Sequence, residues 1–375
     1  MTTHIALIGC GYVADFYLAT LPAHPELQVA GVFDRLPERA ATLSRAYGVP
    51  AYGSLQELLA DARVTLVLNL TNPREHYAVS RACLEAGKHV YSEKPLAMAM
   101  DQATALVELA EARGLHLASA PCSSLGETAL TIRRALREGR VGPVRVVYAE
   151  MDDGMVHRMQ YRKWRSVSGM PWPYQDEFEV GCTLEHAGYY LTWLLDWFGP
   201  AESVTAFASA QVPDKLAGET LAPPDAPDFS VACIRFASGV VARLTCSILA
   251  PHDHALRIVG DDGVLSTREC WDYRSPVHLR RLVSIRRKTF LSPWRSRCPL
   301  LPPPAGSAVY RRAHRMDFGR GPAALAAAVA TGRSGRPAAQ FSLHANELAL
   351  AIHQAGRDGS CHRMATSFTP AELEA

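Results

Sequence analysis

The sequence predicts an α/β fold in two parts: an N-terminal doubly wound parallel sheet of Rossmann type, then an α+β domain built on an open-faced, mostly antiparallel sheet. Three observations predict it. From His4 to Ala120 short apolar runs alternate with amphipathic stretches, the pattern that lays helices over a parallel sheet. Gly9-Cys10-Gly11-Tyr12-Val13-Ala14 follows the first run directly and opens the first helix, so a tight glycine turn joins strand to helix. After Glu138 the texture changes to the two-residue alternation of strands. At 375 residues the chain also exceeds the roughly 250–300 residues at which one core stops growing, so two domains with a cleft between them are expected.

The first five predicted strands are Ile5 to Ile8, Leu27 to Phe33, Val64 to Leu70, His89 to Tyr91 and Leu115 to Ala118. Helices are expected near Tyr12 to Leu21, Pro37 to Tyr47, Ser54 to Leu59, Pro73 to Ala86 and Asp101 to Arg113, with Gly87 and Gly114 where helices end. A helix from Leu125 to Glu138 leads to strands in V-R-V-V-Y-A-E-M, E-S-V-T-A-F-A-S-A, F-S-V-A-C-I-R-F and G-V-V-A-R-L-T-C-S-I-L. One strong helix, Cys182 to Phe198, interrupts them. Arg274 to Gly306, rich in Arg and Pro, reads as a long surface excursion, and helices return at Pro322 to Ala330 and Ser342 to Ala355. The expected organisation is residues 1–121, residues 122–360, and a frayed tail over 361–375.

Lys and Arg number 39 against 37 Asp and Glu, a net charge of +2, so no field recruits nucleic acid or an anionic membrane. Nine cysteines without a C-x-x-C pair point to free thiols in a reducing, cytoplasmic setting. No apolar run approaches the roughly 18 residues that span a bilayer. A small-molecule partner is expected, and no metal site.

Three motifs carry chemistry. In the glycine turn Gly9 permits the bend, Gly11 lets the backbone approach a pyrophosphate, and Tyr12, Val13 and Ala14 begin the helix whose N-terminus faces it. Asp34 ends the second strand, where a carboxylate binds ribose hydroxyls. Its charge favours NAD over NADP, although adjacent Arg35 suits a 2′-phosphate. Thr71-Asn72-Pro73-Arg74-Glu75-His76 lies at the carboxyl edge of the sheet. There Thr71 and Asn72 contact a cofactor, or Asn72 caps a helix; His76 faces the cofactor or solvent. Glu93-Lys94-Pro95 ends the next strand; its lysine either polarises a reacting oxygen near the nicotinamide or forms an exposed ion pair with Glu93.

In order and spacing, G-x-G-x-x-A, Asp34, T-N-P-x-x-H and E-K-P resemble the Gfo/Idh/MocA oxidoreductases. The likeness extends more loosely through G-x-V-G-P-V at Gly139 to Val144, the helix ending at Pro200, and D-F-x-x-G-x-x-x-L-x-x-A-V from Asp317. The resemblance implies a Rossmann domain joined to an open-faced sheet, a sugar- or polyol-like substrate between them, and homodimers or homotetramers formed through that sheet. It also implies that Lys94 is catalytic. In the family's second signature, G-G-x-x-x-D-x-x-x-H, the last position is Tyr in some members; this chain reads Gly181-Cys182-Thr183-Leu184-Glu185-His186-Ala187-Gly188-Tyr189. Counting back from Phe198-Gly199-Pro200 puts Glu185 at the Asp position, as a holder of substrate hydroxyls, and Tyr189 at the last.

The acid/base stays open between Tyr189 and His186. Tyr189 is favoured by register and by Lys94, expected to lower its pKa, and His186 by its intrinsic pKa. On an ideal helix Glu185, Tyr189, Thr192 and Asp196 share a stripe, with His186 about 60° away. Trp164 and Trp172, among Asp176, Glu177 and Glu179, suit a sugar ring or the sheet of a partner subunit. Ala120-Pro121-Cys122-Ser123-Ser124 departs from the Asn/Gln-Arg of many family members, which opens substrates beyond common monosaccharides. Arg280, Arg281, Arg286, Arg287 and Lys288 read as a solvated basic surface or a phosphate contact. The leading reading is an NAD-dependent dehydrogenase or reductase; a lyase or glycosidase working through transient oxidation and a non-catalytic dinucleotide sensor are the alternatives.

Overall fold

A computed structural model of the protein describes residues 2–370 except 217, 219–220, 305, 308–313 and 333–337. Its first part holds β1 (Thr3–Ile8), α1 (Ala14–Thr20), β2 (Leu27–Phe33), α2 (Pro37–Tyr47), α3 (Leu55–Ala60), β3 (Leu66–Asn69), α4 (His76–Glu85), β4 (His89–Ser92), α5 (Met100–Ala112) and β5 (Leu117–Ser119). The strands pair in parallel in the order β2-β1-β3-β4-β5, and the order reverses between β1 and β3, where ligands bind in such sheets. Successive side chains point to opposite faces of a strand. Accordingly Ile5, Leu7, Leu66 and Leu68 enter one core, and Ala6, Ile8 and Val67 the other. Each large aliphatic so buried contributes about 1.5–3 kcal/mol.

The second part comprises α6 (Glu127–Arg137), β6 (Val144–Asp152), α7 (Tyr174–Val180), α8 (Gly188–Phe198), β7 (Ala201–Ser209), β8 (Phe229–Phe236), β9 (Val241–Ser247), β10 (Leu256–Gly260) and β11 (Gly263–Thr267). β12 (Val277–Ile285), β13 (Lys288–Leu291), β14 (Ser296–Cys298), α9 (Arg320–Thr331), α10 (Ala339–His353) and β15 (Ser360–Arg363) follow. The strands form one sheet, β13-β12-β11-β10-β6-β9-β8-β7-β15, with β14 beside β12. β6 and β9 run parallel and the other pairs antiparallel, as the mostly antiparallel reading expected.

Three expectations need correction. The Arg/Pro-rich stretch is no excursion, because most of it forms β12, β13 and β14. Val277 and Leu279 are buried in the sheet while the end of β12 and β13 are exposed; cations on an edge strand's solvent side hid the strand pattern. The tail is tied down through Arg363 by pairing with β7, and beyond it Glu347 accepts from the amides of Ala365 and Thr366 at 2.7 and 2.8 Å. Residues 371–375 lie outside the described residues. Finally, Cys182 to Phe198 is not one α-helix: Thr183–Ala187 form a π turn before α8 begins.

The two parts are fastened by a buried ion cluster. Arg320 at the start of α9 donates to Glu127 at 2.6 Å and to Asp317 at 3.3 Å, while Nε2 of His24 in the first part lies 3.0 Å from Asp317. The Arg320, Glu127 and Asp317 side chains are 6%, 2% and 0% exposed. Removing one member of such a cluster leaves uncompensated charge inside. Arg320→Met is therefore expected to lower unfolding free energy by about 3–5 kcal/mol in denaturant titration; a loss below about 1 kcal/mol, the scale of an exposed pair, would refute the cluster's role.

Candidate active site

A cavity of about 760 Å³ runs from the glycine turn to the face of the second sheet. At the turn Gly9 has φ +97°, and a Cβ there would stand 2.5 Å from the carbonyl oxygen of Leu70, so only glycine fits. A Cβ on Gly11 would meet nothing within 4 Å: its backbone stands open to the cavity, as do Tyr12 and Val13. Cys10 is buried, and its amide donates to Asp34 Oδ2 at 2.7 Å while the amide of Leu36 donates to Oδ1 at 2.9 Å. Cys10 and Asp34 thus stand behind the cavity wall, whereas Arg35 and Arg39 line it.

The loop after β3 is braced from within. Thr71 Oγ1 donates to Asn69 Oδ1 at 2.6 Å. Asn72 makes no cap; its Nδ2 crosses the cleft to Asp176 Oδ2 at 2.7 Å. His76 is fully buried, its Nδ1 2.6 Å from the Pro95 carbonyl and its Nε2 2.9 Å from that of Thr71. Burial lowers its pKa against the pull of those carbonyls. It reaches the cavity wall rather than solvent, and with both nitrogens engaged it ties the Thr71 loop to the E-K-P segment.

Of the two alternatives for Lys94, the exposed ion pair with Glu93 does not form. Glu93 Oε1 accepts from Tyr17 at 2.7 Å and Oε2 from the Lys94 amide at 3.1 Å. Lys94 Nζ reaches across the cleft to Glu185. Beside them Glu177, on α7, is pushed well above the ordinary carboxylate range by burial and by Glu185, to which it hydrogen-bonds. Burial opposes the Lys94 charge, yet Glu185 and Glu177 outweigh it and hold the ammonium above the ordinary lysine range.

Glu185, His186 and Tyr189 all reach this wall. The ideal-helix stripe set His186 apart from the others, yet all three line the cavity, and Thr183–Ala187 depart from α geometry in a π turn. His186 Nε2 lies 3.4 Å from Asp153 Oδ2, its Nδ1 is buried without a partner, and burial followed by the Lys94 charge pulls its pKa well below the ordinary histidine value. Tyr189 packs edge-on against Trp271, ring centroids 5.6 Å apart. Lys94 was expected to bring its pKa down; burial wins and the phenol lies above the ordinary tyrosine range.

Trp164 and Trp172 sit together, ring centroids 4.9 Å apart, on the wall of their own chain's cavity. Ser168 between them donates to Asp15 of α1 at 2.6 Å, closing this loop over the first part. Ser123 is buried and donates to the Tyr189 carbonyl at 3.2 Å, so the atypical Pro121–Ser124 segment backs α8. Asp153, Glu177, Trp271 and His314 line the cavity without having been singled out. Glu177 lay unmarked among neighbouring acids, and the others carry no spacing signal.

The family model described as an oxidoreductase family with an NAD-binding Rossmann fold matches residues 3–120, and the GFO/IDH/MocA C-terminal domain model matches residues 129–266. Mouse trans-1,2-dihydrobenzene-1,2-diol dehydrogenase is 26% identical over 297 residues, covering 78% of this chain and 81% of its own. Among solved structures, aldose-aldose oxidoreductase of Caulobacter crescentus, complexed with glycerol, superposes with a TM-score of 0.75 at 18% identity, covering 97% of this chain and 100% of its own. A 3-ketoreductase of Actinomadura kijaniata, in complex with TDP-benzene and NADP, gives 0.70 at 21% identity over 95% and 98% of the two chains. Among the described residues no helix is long and apolar enough to cross a membrane.

The raised Glu177 pKa has a stability consequence. A folded state that binds its proton more tightly than the unfolded state loses stability as pH rises from the ordinary value of 4.5 toward the folded one. Glu177→Gln, which keeps the hydrogen bond without the charge, is expected to gain stability relative to the parent increasingly between about pH 5 and 8. Melting curves across that range check it; a pH-independent difference would mean Glu177 is ionised in the fold.

Proposed function

Because this chain belongs to the Gfo/Idh/MocA oxidoreductase family, we propose that it moves a hydride between the nicotinamide of NAD and a hydroxyl- or carbonyl-bearing carbon of a sugar, polyol or sugar derivative. The observation that carries this reading is that one cavity connects the open backbone at Gly11 with Lys94, Tyr189 and His186. The residues present fit a dinucleotide: Gly9 tolerates no Cβ, Gly11 leaves its side clear, and the helix N-terminus follows. When bound, the dinucleotide supplies or takes up the hydride.

Lys94, kept charged chiefly by Glu185, donates a hydrogen bond to the reacting oxygen and stabilises the negative charge that develops there. Tyr189, kept protonated by burial, hands its proton to a carbonyl oxygen during reduction and recovers it during oxidation. His186, kept neutral, is the other proton acceptor on the wall. Glu185 is engaged by Lys94, so its role shifts from holding substrate hydroxyls to positioning the ammonium. Trp164 and Trp172 offer aromatic faces to the apolar side of a ring. The same aromatic wall suits a cyclic vicinal diol, the substrate named for the mouse relative. Exposed Val283, Ile285, Phe290 and Trp294 near the sheet edge support a homodimer or homotetramer, since grouped exposed apolar side chains mark contact surfaces. Free cysteines throughout the chain support a cytoplasmic location.

Lys94→Met is expected to leave dinucleotide affinity nearly unchanged while turnover falls at least about a hundredfold. Tyr189→Phe is expected to be far more damaging than His186→Asn. Turnover of Lys94→Met above roughly a tenth of the parent would make the lysine structural. A reversed order for the other two would transfer the proton role to His186. Net NADH formation separates dehydrogenation from transient oxidation, which turns over without it, and from sensing, which does neither.

Cofactor choice pits the Asp34 carboxylate, which repels a 2′-phosphate, against Arg35 and Arg39. NAD(H) is expected to bind more tightly than NADP(H) in fluorescence titrations, with Asp34→Ala narrowing the gap. Equal or tighter NADP(H) binding by the parent would assign control to the arginines.

A further inference from the structure

Asp152 and Asp253 form an antiparallel bridge between the end of β6 and the segment before β10, exchanging backbone hydrogen bonds of 3.0 and 2.9 Å. Facing residues in such a pair share a side, and sides alternate along each strand. Asp153, His252 and His254 consequently fall on one side, the side of buried Met151. Their imidazole centroids lie 4.0 Å apart, and one donor atom from each of the three residues lies within 4.8 Å of the others.

Glu269 organises this group. Its Oε1 accepts from the Trp271 amide at 2.8 Å and lies 2.7 Å from His254 Nδ1; its Oε2 lies 2.9 Å from His252 Nε2. Nδ1–H of His254 donates to that carboxylate, which leaves Nε2 with a lone pair. Yet His254 is 0% exposed and its Nε2 has no hydrogen-bond partner, so the desolvation of that nitrogen goes uncompensated. A carboxylate on one imidazole nitrogen and a free lone pair on the other is how metal-ligating histidines are held.

We propose that Asp153, His252 and His254 bind one divalent transition-metal ion, Zn²⁺ or a cation of similar preference, with Glu269 orienting the imidazoles. Two imidazoles and one carboxylate suit such ions; Mg²⁺ and Ca²⁺ favour all-oxygen sets. Three protein ligands leave coordination positions open, and Asp153 lies on the cavity wall, 3.4 Å from His186, so the ion stands at the substrate end of the cavity. No metal was expected from the sequence, because the ligands come from segments that adjoin only in the fold.

The full-length protein, freed of metal by chelation, would be titrated with Co²⁺ and followed by its visible absorption, with equilibrium dialysis against Zn²⁺ counting bound ions. One ion per chain is expected, with Zn²⁺ displacing Co²⁺. Asp153→Asn and Glu269→Gln should each weaken binding by roughly 10- to 100-fold, the usual effect of disturbing a ligand or its support. His254 is fully buried, so half-exposed His252 carries the decisive variant: His252→Ala, checked by circular dichroism for an intact fold, should also lose at least about tenfold. Absence of stoichiometric binding in the parent, or unchanged affinity in His252→Ala, overturns the site. Ion counting is independent of turnover, so it fails or succeeds apart from the hydride reading.

Discussion

The contact between Lys94 and Glu185 is the constraint on which the rest of the site depends. It sets an ammonium from the parallel-sheet domain against a carboxylate from the second domain, where neither is well hydrated. Desolvating two ions costs several kcal/mol each, offset only by good geometry and supporting hydrogen bonds. Support comes from both sides: the carboxyl of Glu177 hydrogen-bonds to Glu185, and the Lys94 amide is held by Glu93, itself fixed by Tyr17. The domains therefore cannot slide relative to each other without uncovering charge, and the same fixed geometry carries Tyr189 and His186 onto the wall.

Residues around the pair act mainly as framework. His76 bridges two carbonyls, Asn72 crosses the cleft to Asp176, and Ser123 holds the backbone behind Tyr189. Burial makes the contacts of His76 and Ser123 the most consequential, since a lost partner there would leave a polar group poorly reached by water.

How much of this was legible in the sequence follows from the range of the forces involved. The glycine turn, Asp34 and E-K-P were readable because backbone approach and strand ends are fixed within a few residues. The β-alternation revealed β6 to β9, four of the ten strands of the second sheet, while the short β10, β11 and β15 went unread. β12 to β14 were missed because an edge strand's cations look like loop composition. The π turn at Thr183–Ala187 was invisible, since nothing local marks the extra residue in its ring. The Tyr189 pKa was misjudged because the sequence shows a nearby cation but not the depth of burial opposing it. Asp153, Trp271 and His314 meet only through tertiary packing.

Asp152 and Asp153 are chemically identical neighbours with different fates. One accepts a hydrogen bond from Ser247 on the outer side of the sheet, and the other faces the cavity. Only strand alignment distinguishes them, because a slip of a single residue exchanges the two sides of a strand. β6 is locked by a parallel neighbour, an antiparallel neighbour and the buried alternation of Val147, Ala149 and Met151. The apolar residues of that strand thus act as an indexing device: they carry no chemistry, yet they decide which aspartate has any.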